Sequence, residues 1–588
     1  MEVYTVKVEE SRPAAGDKPS AGPVYRCIYA KDGLLELAAG GRVALGVLQD
    51  GPYVWQTYEE AHDKAIRIGS AIRSCGVNPG DHCGIYGSNC PEWVIAMEAC
   101  NAHGIPYVPL YDTLGAHAVE FIINHAEVSI AFVQENKIQS ILTCLPSCAT
   151  YLKTIVSFGK VTSEQKIEAE EAGVSCFSWA EFASIGTLNR RLPQKKRTDI
   201  CTIMYTSGTT GDPKGVILTN EAIMAEFMTT EHLLLETDKV VTEEDTYFSF
   251  LPLAHVFDQI IENYCISKGA SIGFWRGVRK LQNLKKGLKQ DQASPFFDKL
   301  IFNKIKQSLG GRVRIMLSGA APLPRHVEEF LRVTSCSILL QGYGLTESSA
   351  GCFTSIANVF SMIGTVGVPV TTIEARLESV PDMGYDALST VPRGEICLRG
   401  TTLFSGYHKR PDLTDDVLVD GWFHTGDIGE WQTNGAMKII DRKKNIFKLS
   451  QGEYIAVENV ESTYSRCPLL TSIWVYGNSF ESFLVGVVVP DKKCIEVWAS
   501  ANDVTGDFKS LCEHPKARKY MLEELNNTGR KHELRGFEML KAIHLEPIPF
   551  DMERDLITPT FKLKRPQLLK YYKDCIDQLY REAKGQKA

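Results

Sequence analysis

No stretch of this chain approaches the ~18 consecutive apolar residues that a membrane-crossing helix needs. The opening MEVYTVKVEE is acidic and lacks an apolar run, so no secretory leader is expected. Basic charge is not in surplus either: 64 Lys and Arg stand against 71 Asp and Glu, a net charge of −7. A nucleic-acid binder needs a dominant basic face, and none is expected. The 17 cysteines fall in no repeating pattern, and Cys144 and Cys148 have no second pair or paired histidines beside them. This argues against a disulfide framework or a zinc site, and fits reduced thiols in the cytosol. Residues 585–588 form no peroxisomal tripeptide. No internal repeat is visible. What is left is a globular composition, 44% hydrophobic and 23% charged over 588 residues. At about 150 residues per domain, that is room for roughly three or four compact units.

Helical and strand patterns alternate near the start. Ala61, Ala65, Ile68, Ala71 and Ile72 recur at helical spacing over 57–75, and Gly76 stops the pattern. Residues 82–86 read as a short buried strand, 91–102 as a helix with Pro91 in its first turn, and 106–110 as another strand. The order implies α/β architecture, with a parallel or mixed sheet covered by helices. Residues 12–22 are rich in Pro, Gly and Lys and are expected to be extended or mobile. Residues 194–197 form a basic run, read as a solvated loop before a strand.

The most specific string is Tyr205-Thr206-Ser207-Gly208-Thr209-Thr210-Gly211-Asp212-Pro213-Lys214-Gly215. Residues 201–204 before it and 216–219 after it have strand character, and Asn220 is placed to cap a helix beginning near Glu221. Its three glycines let backbone approach a polyanion. Its hydroxyls and N–H groups donate, and Lys214 adds positive charge. It is not a Walker A loop, which needs Lys-Ser/Thr directly after the last Gly and then a helix. The string resembles the phosphate-binding signature of the adenylate-forming superfamily, which includes acyl-CoA synthetases, luciferases and peptide-synthetase adenylation domains.

Further strings of that superfamily follow in order. Leu251-Pro252-Leu253-Ala254-His255-Val256-Phe257 resembles the segment that sets a gate beside the carboxylate substrate, although a lone His on an apolar segment is more often a core residue. Asp258 stands one position too close for the His-x3-Asp of acyltransferases. Ser318-Gly319-Ala320-Ala321 resembles the turn that lines adenine and the acyl carboxylate. Gln341-Gly342-Tyr343-Gly344-Leu345-Thr346-Glu347 resembles the adenine- and magnesium-binding loop. There Tyr343 can face adenine, Thr346 can donate to the α-phosphate or acyl carboxylate, and Glu347, with Thr206, offers hard oxygens to Mg2+. In Gly421-Trp422-Phe423-His424-Thr425-Gly426-Asp427, Asp427 matches the ribose ligand and Arg442 the second ribose contact. Lys448, Gly452 and Glu453 belong to the loop that lines the pantetheine channel. Thr558-Pro559-Thr560-Phe561-Lys562 resembles the terminal catalytic segment, with Lys562 as its lysine and Lys564 and Arg565 as competitors.

Three features resemble the plant long-chain acyl-CoA synthetases in particular: the Thr-Pro-Thr-Phe-Lys terminus, the Lys-Leu-Ser-Gln-Gly-Glu-Tyr loop, and Trp275 at the position of the tunnel-gating aromatic. The resemblance implies a large N-terminal domain over 1–440, with mixed and parallel sheets layered by helices. It also implies a small mobile α/β domain over 441–588, hinged at Asp441. ATP, Mg2+ and coenzyme A are implied, with a long-chain fatty acid as the carboxylate. The implied reaction is acyl-adenylate formation followed by transfer to the CoA thiol. A peripheral position in the cytosol or on the cytosolic face of the endoplasmic reticulum is implied too; oligomeric state is left open.

The chain departs from that pattern after Gly277. The family's helix, strand and Gly-Val-Pro-Arg segment are missing, several tens of residues in all, and a second gap is read at 38–45. The lost strand belongs to the sheet framing the acyl pocket, so its loss should bare apolar neighbours and leave strand edges unpaired. Two alternatives therefore stay open. One is an impaired variant that keeps nucleotide binding. The other is a CoA ligase for an aromatic or medium-chain acid.

Overall fold

Thr57 starts the first long helix. Its hydroxyl accepts from the Glu60 N–H while the Glu60 carboxylate accepts from the Thr57 N–H, closing a reciprocal cap. The helix runs Tyr58–Ser74 and buries the five apolar residues that the spacing predicts. It ends before Gly76, whose φ of +89° suits only glycine well. The strand His82–Tyr86 and the helix Pro91–Ala102 fall where expected, and the next strand is Tyr107–Pro109. The computed structural model describes residues 3–16, 18–32, 34, 55–111, 117–206, 213–236, 240–274, 309, 311–321, 323–335, 337–357, 359–558 and 562–585. The gap read at 38–45 lies outside them.

These elements build a seven-stranded sheet in the spatial order Ser175–Phe177, Thr154–Ser157, Val128–Val133, His82–Tyr86, Tyr107–Pro109, Ile200–Thr206, Lys214–Thr219. All neighbours are parallel except the last two strands, which form a hairpin. Helices cover both faces. One face buries Trp93, Met97 and Ile68, and the other Ile122, Leu142 and Val108. A mainly antiparallel sheet is built on Ile373–Glu378, Arg393–Gly400 and Trp422–Trp431, with Met437–Arg442 paired to the last. Beyond it, Leu470–Tyr476, Leu484–Pro490 and Leu540–Leu545 form a three-stranded sheet with its own core, including Ile473, Val488 and Ile543.

Between the two larger sheets, strand pairing is interrupted. Thr246–Ser249 pairs in parallel with Ser271–Phe274, and Ile315–Ser318 pairs in parallel with Ile338–Tyr343. Among the described residues nothing pairs with the other edge of Thr246–Ser249 or of Ile315–Ser318. Arg314 and Asp245, just before the two strands, form an ion pair that ties their starting ends together. Phe248 is 50%, Phe250 56% and Leu317 45% exposed. The sequence reading expects bared apolar neighbours and unpaired edges here, and residues 275–308 lie outside the described residues.

Two local readings are corrected. The N-terminal stretch is extended but built in: Thr5–Glu9 and Val24–Cys27 pair with each other, and the second joins Ile373–Glu378. Ion pairs from Arg12 to Glu378 and from Arg26 to Glu374 hold it, and composition does not show such distant partners. The helix cap is Thr219, whose hydroxyl accepts from the Ala222 N–H. Asn220 is the first helical residue, and its amide donates to the Lys196 carbonyl.

Candidate functional site

The hairpin of the first sheet places Thr206 opposite Lys214, at the mouth of the Gly-Thr loop. Ser207, Gly208, Thr209, Thr210 and Gly211 lie outside the described residues, as does Trp275. Thr206 and Lys214 stand in the wall of a cavity of about 2800 Å3. The same wall holds His255, Gly319, Ala320, Gln341, Gly342, Tyr343, Thr346, Glu347, Asp427, Arg442 and Lys562. Residues as far apart in sequence as 206 and 562 therefore meet around one space. Leu233, Phe257, Ile260 and Tyr264 give that space an apolar side.

The end of Ile338–Tyr343 organises its polar side. Gly344 follows, and a Cβ there would lie 1.4 Å from the Ala350 carbonyl oxygen, so only glycine lets the chain fold back. The fold-back presents Thr346 and Glu347 in a short 3-10 turn, Thr346–Ser348. One Glu347 oxygen accepts from the Tyr407 hydroxyl at 2.8 Å, and the other has no partner among the described residues. Gln341 is committed inward: its carbonyl accepts from the Leu323 N–H and its amide donates to the Thr365 carbonyl. It braces the 318–323 turn, and its side chain is not offered to a ligand. Ala320 in that turn has φ +66°, a left-handed conformation costly for a non-glycine residue.

Asp427 and Arg442 are register partners on adjacent strands, with Arg442 Nε 3.4 Å from an Asp427 oxygen. The Tyr343 hydroxyl donates to the other Asp427 oxygen. Burial pushes the Asp427 carboxyl up, against the pull of Arg442 and Tyr343. His255 caps the helix Val256–Ser267, its Nδ1 accepting from the Phe257 N–H. Burial, with the Lys562 charge nearby, pushes His255 down to about 4, so it is neutral at pH 7.

The three candidate cations of the terminal segment part ways. Lys564 is ion-paired with Asp555, and Arg565 makes a two-pronged pair with Glu461 at 2.7 and 3.0 Å. The Lys562 ammonium takes no partner among the described residues, and burial followed by the Arg442 charge lowers its pKa. Lys448, Gly452 and Glu453 are not in the cavity wall. They sit on an exposed hairpin turn in which Lys448 lies over the Tyr454 ring.

Two wall residues were not legible in the sequence. Tyr407 orients Glu347, and the Lys214 ammonium lies 5.1 Å from the centre of its ring. Glu226 is 4% exposed, accepts from the Gly351 N–H, and is pushed up to about 8 by burial. Neither lies in a patterned string: one is a Tyr in a loop, the other an acid on an apolar helix, so nothing distinguished them.

A split α/β scaffold whose hairpin brings Thr206 and Lys214 to the same cavity as an aromatic–carboxylate–arginine cluster and a lysine distant in sequence fits a nucleotide-dependent carboxylate-activating class. Residues 37–408 match the AMP-binding enzyme family, and the chain belongs to it. It is 65% identical to a probable CoA ligase, CCL6, of Humulus lupulus, over 99% of each chain. It is 60% identical to long chain acyl-CoA synthetase 2 and 52% to long chain acyl-CoA synthetase 3 of Arabidopsis thaliana, over 98% of each chain. These alignments run to 652 positions against 588 residues here, which leaves no fewer than 64 positions filled by the relative alone. The surplus is of the size, several tens of residues, that the sequence reading expects to be missing. The adenylation domain of a Mycobacterium chelonae carboxylate reductase shares the fold, with TM-score 0.76 at 24% identity over 92% of this chain and 89% of that one.

Proposed function

We propose that this chain activates long-chain fatty acids to acyl-CoA through an acyl-adenylate. The observation that carries this reading is that cations and apolar side chains line one cavity. Lys214, Arg442 and Lys562 stand in its wall together with Leu233, Phe257, Ile260 and Tyr264. The cations suit a triphosphate and the apolar residues an alkyl chain. The names of the relatives at 51–60% identity point the same way.

In the first half-reaction a fatty carboxylate attacks the α-phosphate and pyrophosphate leaves. Both reactants are anions, so their approach needs fixed positive charge. Lys562, with no ammonium partner among the described residues and partly desolvated, is suited to meet charge developing on the phosphate. Asp427 and Arg442 hold the ribose, Tyr343 the adenine, and Thr346 donates to the phosphate or carboxylate. His255, neutral at working pH, borders the acyl carboxylate without adding charge. For Mg2+, the free oxygen of Glu347 and the Thr206 hydroxyl are hard donors of the right kind. The ion, when bound there, supplies charge neutralisation on the phosphates. In the second half-reaction the CoA thiol attacks the acyl carbon and AMP leaves. The chain is read as two domains meeting at Asp441, whose carboxylate accepts from the Arg442 and Glu458 N–H groups. Rotation there would exchange Lys562 for the Lys448–Gly452–Glu453 turn, which now faces solvent.

No helix among the described residues is long and apolar enough to cross a membrane, which supports a peripheral position, proposed here as the cytosolic face of the endoplasmic reticulum. Thioester formation from CoA and ATP by the whole chain tests the substrate class. Palmitate and oleate should outpace 4-coumarate by at least about tenfold in kcat/KM; the reverse order would move the assignment to aromatic ligases.

A second reading has its own support. The interrupted sheet borders the apolar side of the cavity, and a chain missing a wall strand can bind nucleotide yet hold the acyl chain poorly.

A further inference from the structure

We infer that Arg565 and Glu461 are positioning residues that hold Lys562 at the cavity. This rests on the adenylation reading above and assigns a purpose to a residue that the sequence left as a rival for the lysine.

Arg565 opens the helix Arg565–Tyr571, three residues past Lys562. Its guanidinium meets both Glu461 oxygens, the planar fork-to-fork arrangement that fixes direction as well as distance. Glu461 lies on the helix Val457–Tyr464, and its Oε1 also accepts from the Val475 N–H at 2.8 Å. The carboxylate is thus pinned to the three-stranded sheet, and Arg565 is pinned to the carboxylate. Arg565 also comes within 4.0 Å of Glu458, whose N–H is held by Asp441.

The backbone between this anchor and Lys562 is short and closed. The Lys562 N–H donates to the Thr558 hydroxyl, and the Thr558 N–H donates to the Lys562 carbonyl. Residues 557 and 563 bridge, and the Lys564 N–H donates to the Leu556 carbonyl. The Lys564–Asp555 pair closes this local loop. Leu556, Ile557 and Leu563 pack on the three-stranded sheet, and the two-pronged Arg565–Glu461 pair adds a directional tie from the loop to the helix and sheet behind it. A displaced reacting group of about 1 Å can cost about 100-fold in rate, so such a tie is worth measuring.

The test uses the whole chain with Arg565→Ala, Arg565→Lys and Glu461→Gln. Glu461→Gln keeps an acceptor for Val475 and removes the charge. Acyl-AMP formation from palmitate should fall about 100-fold in Arg565→Ala and about tenfold in the two milder variants. Thioester formation from supplied palmitoyl-AMP should stay within about threefold, because that step does not use Lys562. A merely structural role would lower both half-reactions together, and that result would overturn the inference. A second readout does not depend on which acid is activated. Acetic anhydride labelling of Lys562, followed by mass spectrometry, should quicken several-fold in all three folded variants, with exposed Lys448 unchanged. Unchanged Lys562 labelling would overturn the inference even if the chain activates no fatty acid, whereas failure of the wild type alone with palmitate would count only against the substrate reading.

Discussion

Lys562→Ala should suppress acyl-AMP formation by about 10²–10³-fold while leaving thioester formation from supplied acyl-AMP within a few-fold. The expectation comes from three cations in four residues. Two are neutralised, Lys564 by Asp555 and Arg565 by Glu461. All three line the cavity, but the Lys562 ammonium is the one with no ion-pair partner among the described residues, beside Arg442 and Asp427. Its lowered pKa reflects burial, which makes the charge dearer to hold and stronger in effect on a phosphate close by. Lys562→Arg should recover only part of the loss, since a planar fork does not replace a compact ammonium. Separate assays of the two half-reactions check this; equal losses in both would mean that Lys562 supports the fold or the hinge and not the first step.

Filling the interrupted sheet should have the second largest effect. Replacing residues 275–308 with the corresponding, longer stretch of the 65% identical relative should lower the KM for palmitate at least about tenfold and leave the KM for ATP within twofold. The two edges that would flank an added strand are Thr246–Ser249 and Ile315–Ser318. Their starting ends are joined by Arg314 and Asp245, so one added strand between them would extend both ladders. Phe248, Phe250 and Leu317 are each about half exposed, and covering them is worth roughly 1 kcal/mol apiece. Binding of an apolar dye should drop accordingly, and amides of the two edges should exchange hydrogen more slowly. If dye binding and exchange are unchanged in the chimera, the surplus positions of the relatives lie elsewhere. The ATP side should be spared because Asp427 and Arg442 lie in a different sheet, and Tyr343 ends a strand already paired on both edges.

Local signals made much of this protein readable. Thr57 with Glu60 three residues on, Pro91 in a first turn and Gly76 at a helix end each have one short-range consequence, and the elements follow. Strings such as 205–215 and 421–427 were readable for another reason: they resemble the motifs of the adenylate-forming superfamily. What stayed hidden depends on partners far along the chain. Tyr407 gains its meaning from Glu347, 60 residues away, and Arg565 from Glu461, 104 away. The N-terminal strands are another case, because Arg12 and Arg26 find Glu378 and Glu374 only once the sheet has formed. Gln341 adds a partner that the motif does not show: it stands in a binding motif and lines the cavity, while its side-chain amide braces the turn at 318–323.

The most direct test is ATP–pyrophosphate exchange by the whole chain, with CoA omitted and palmitate as the acid. A cavity lined by both cations and apolar side chains predicts exchange that depends on palmitate, requires Mg2+ and disappears in Lys562→Ala. No exchange from a folded protein that still binds ATP would contradict fatty-acid adenylation by this chain and leave a nucleotide site without its acyl partner.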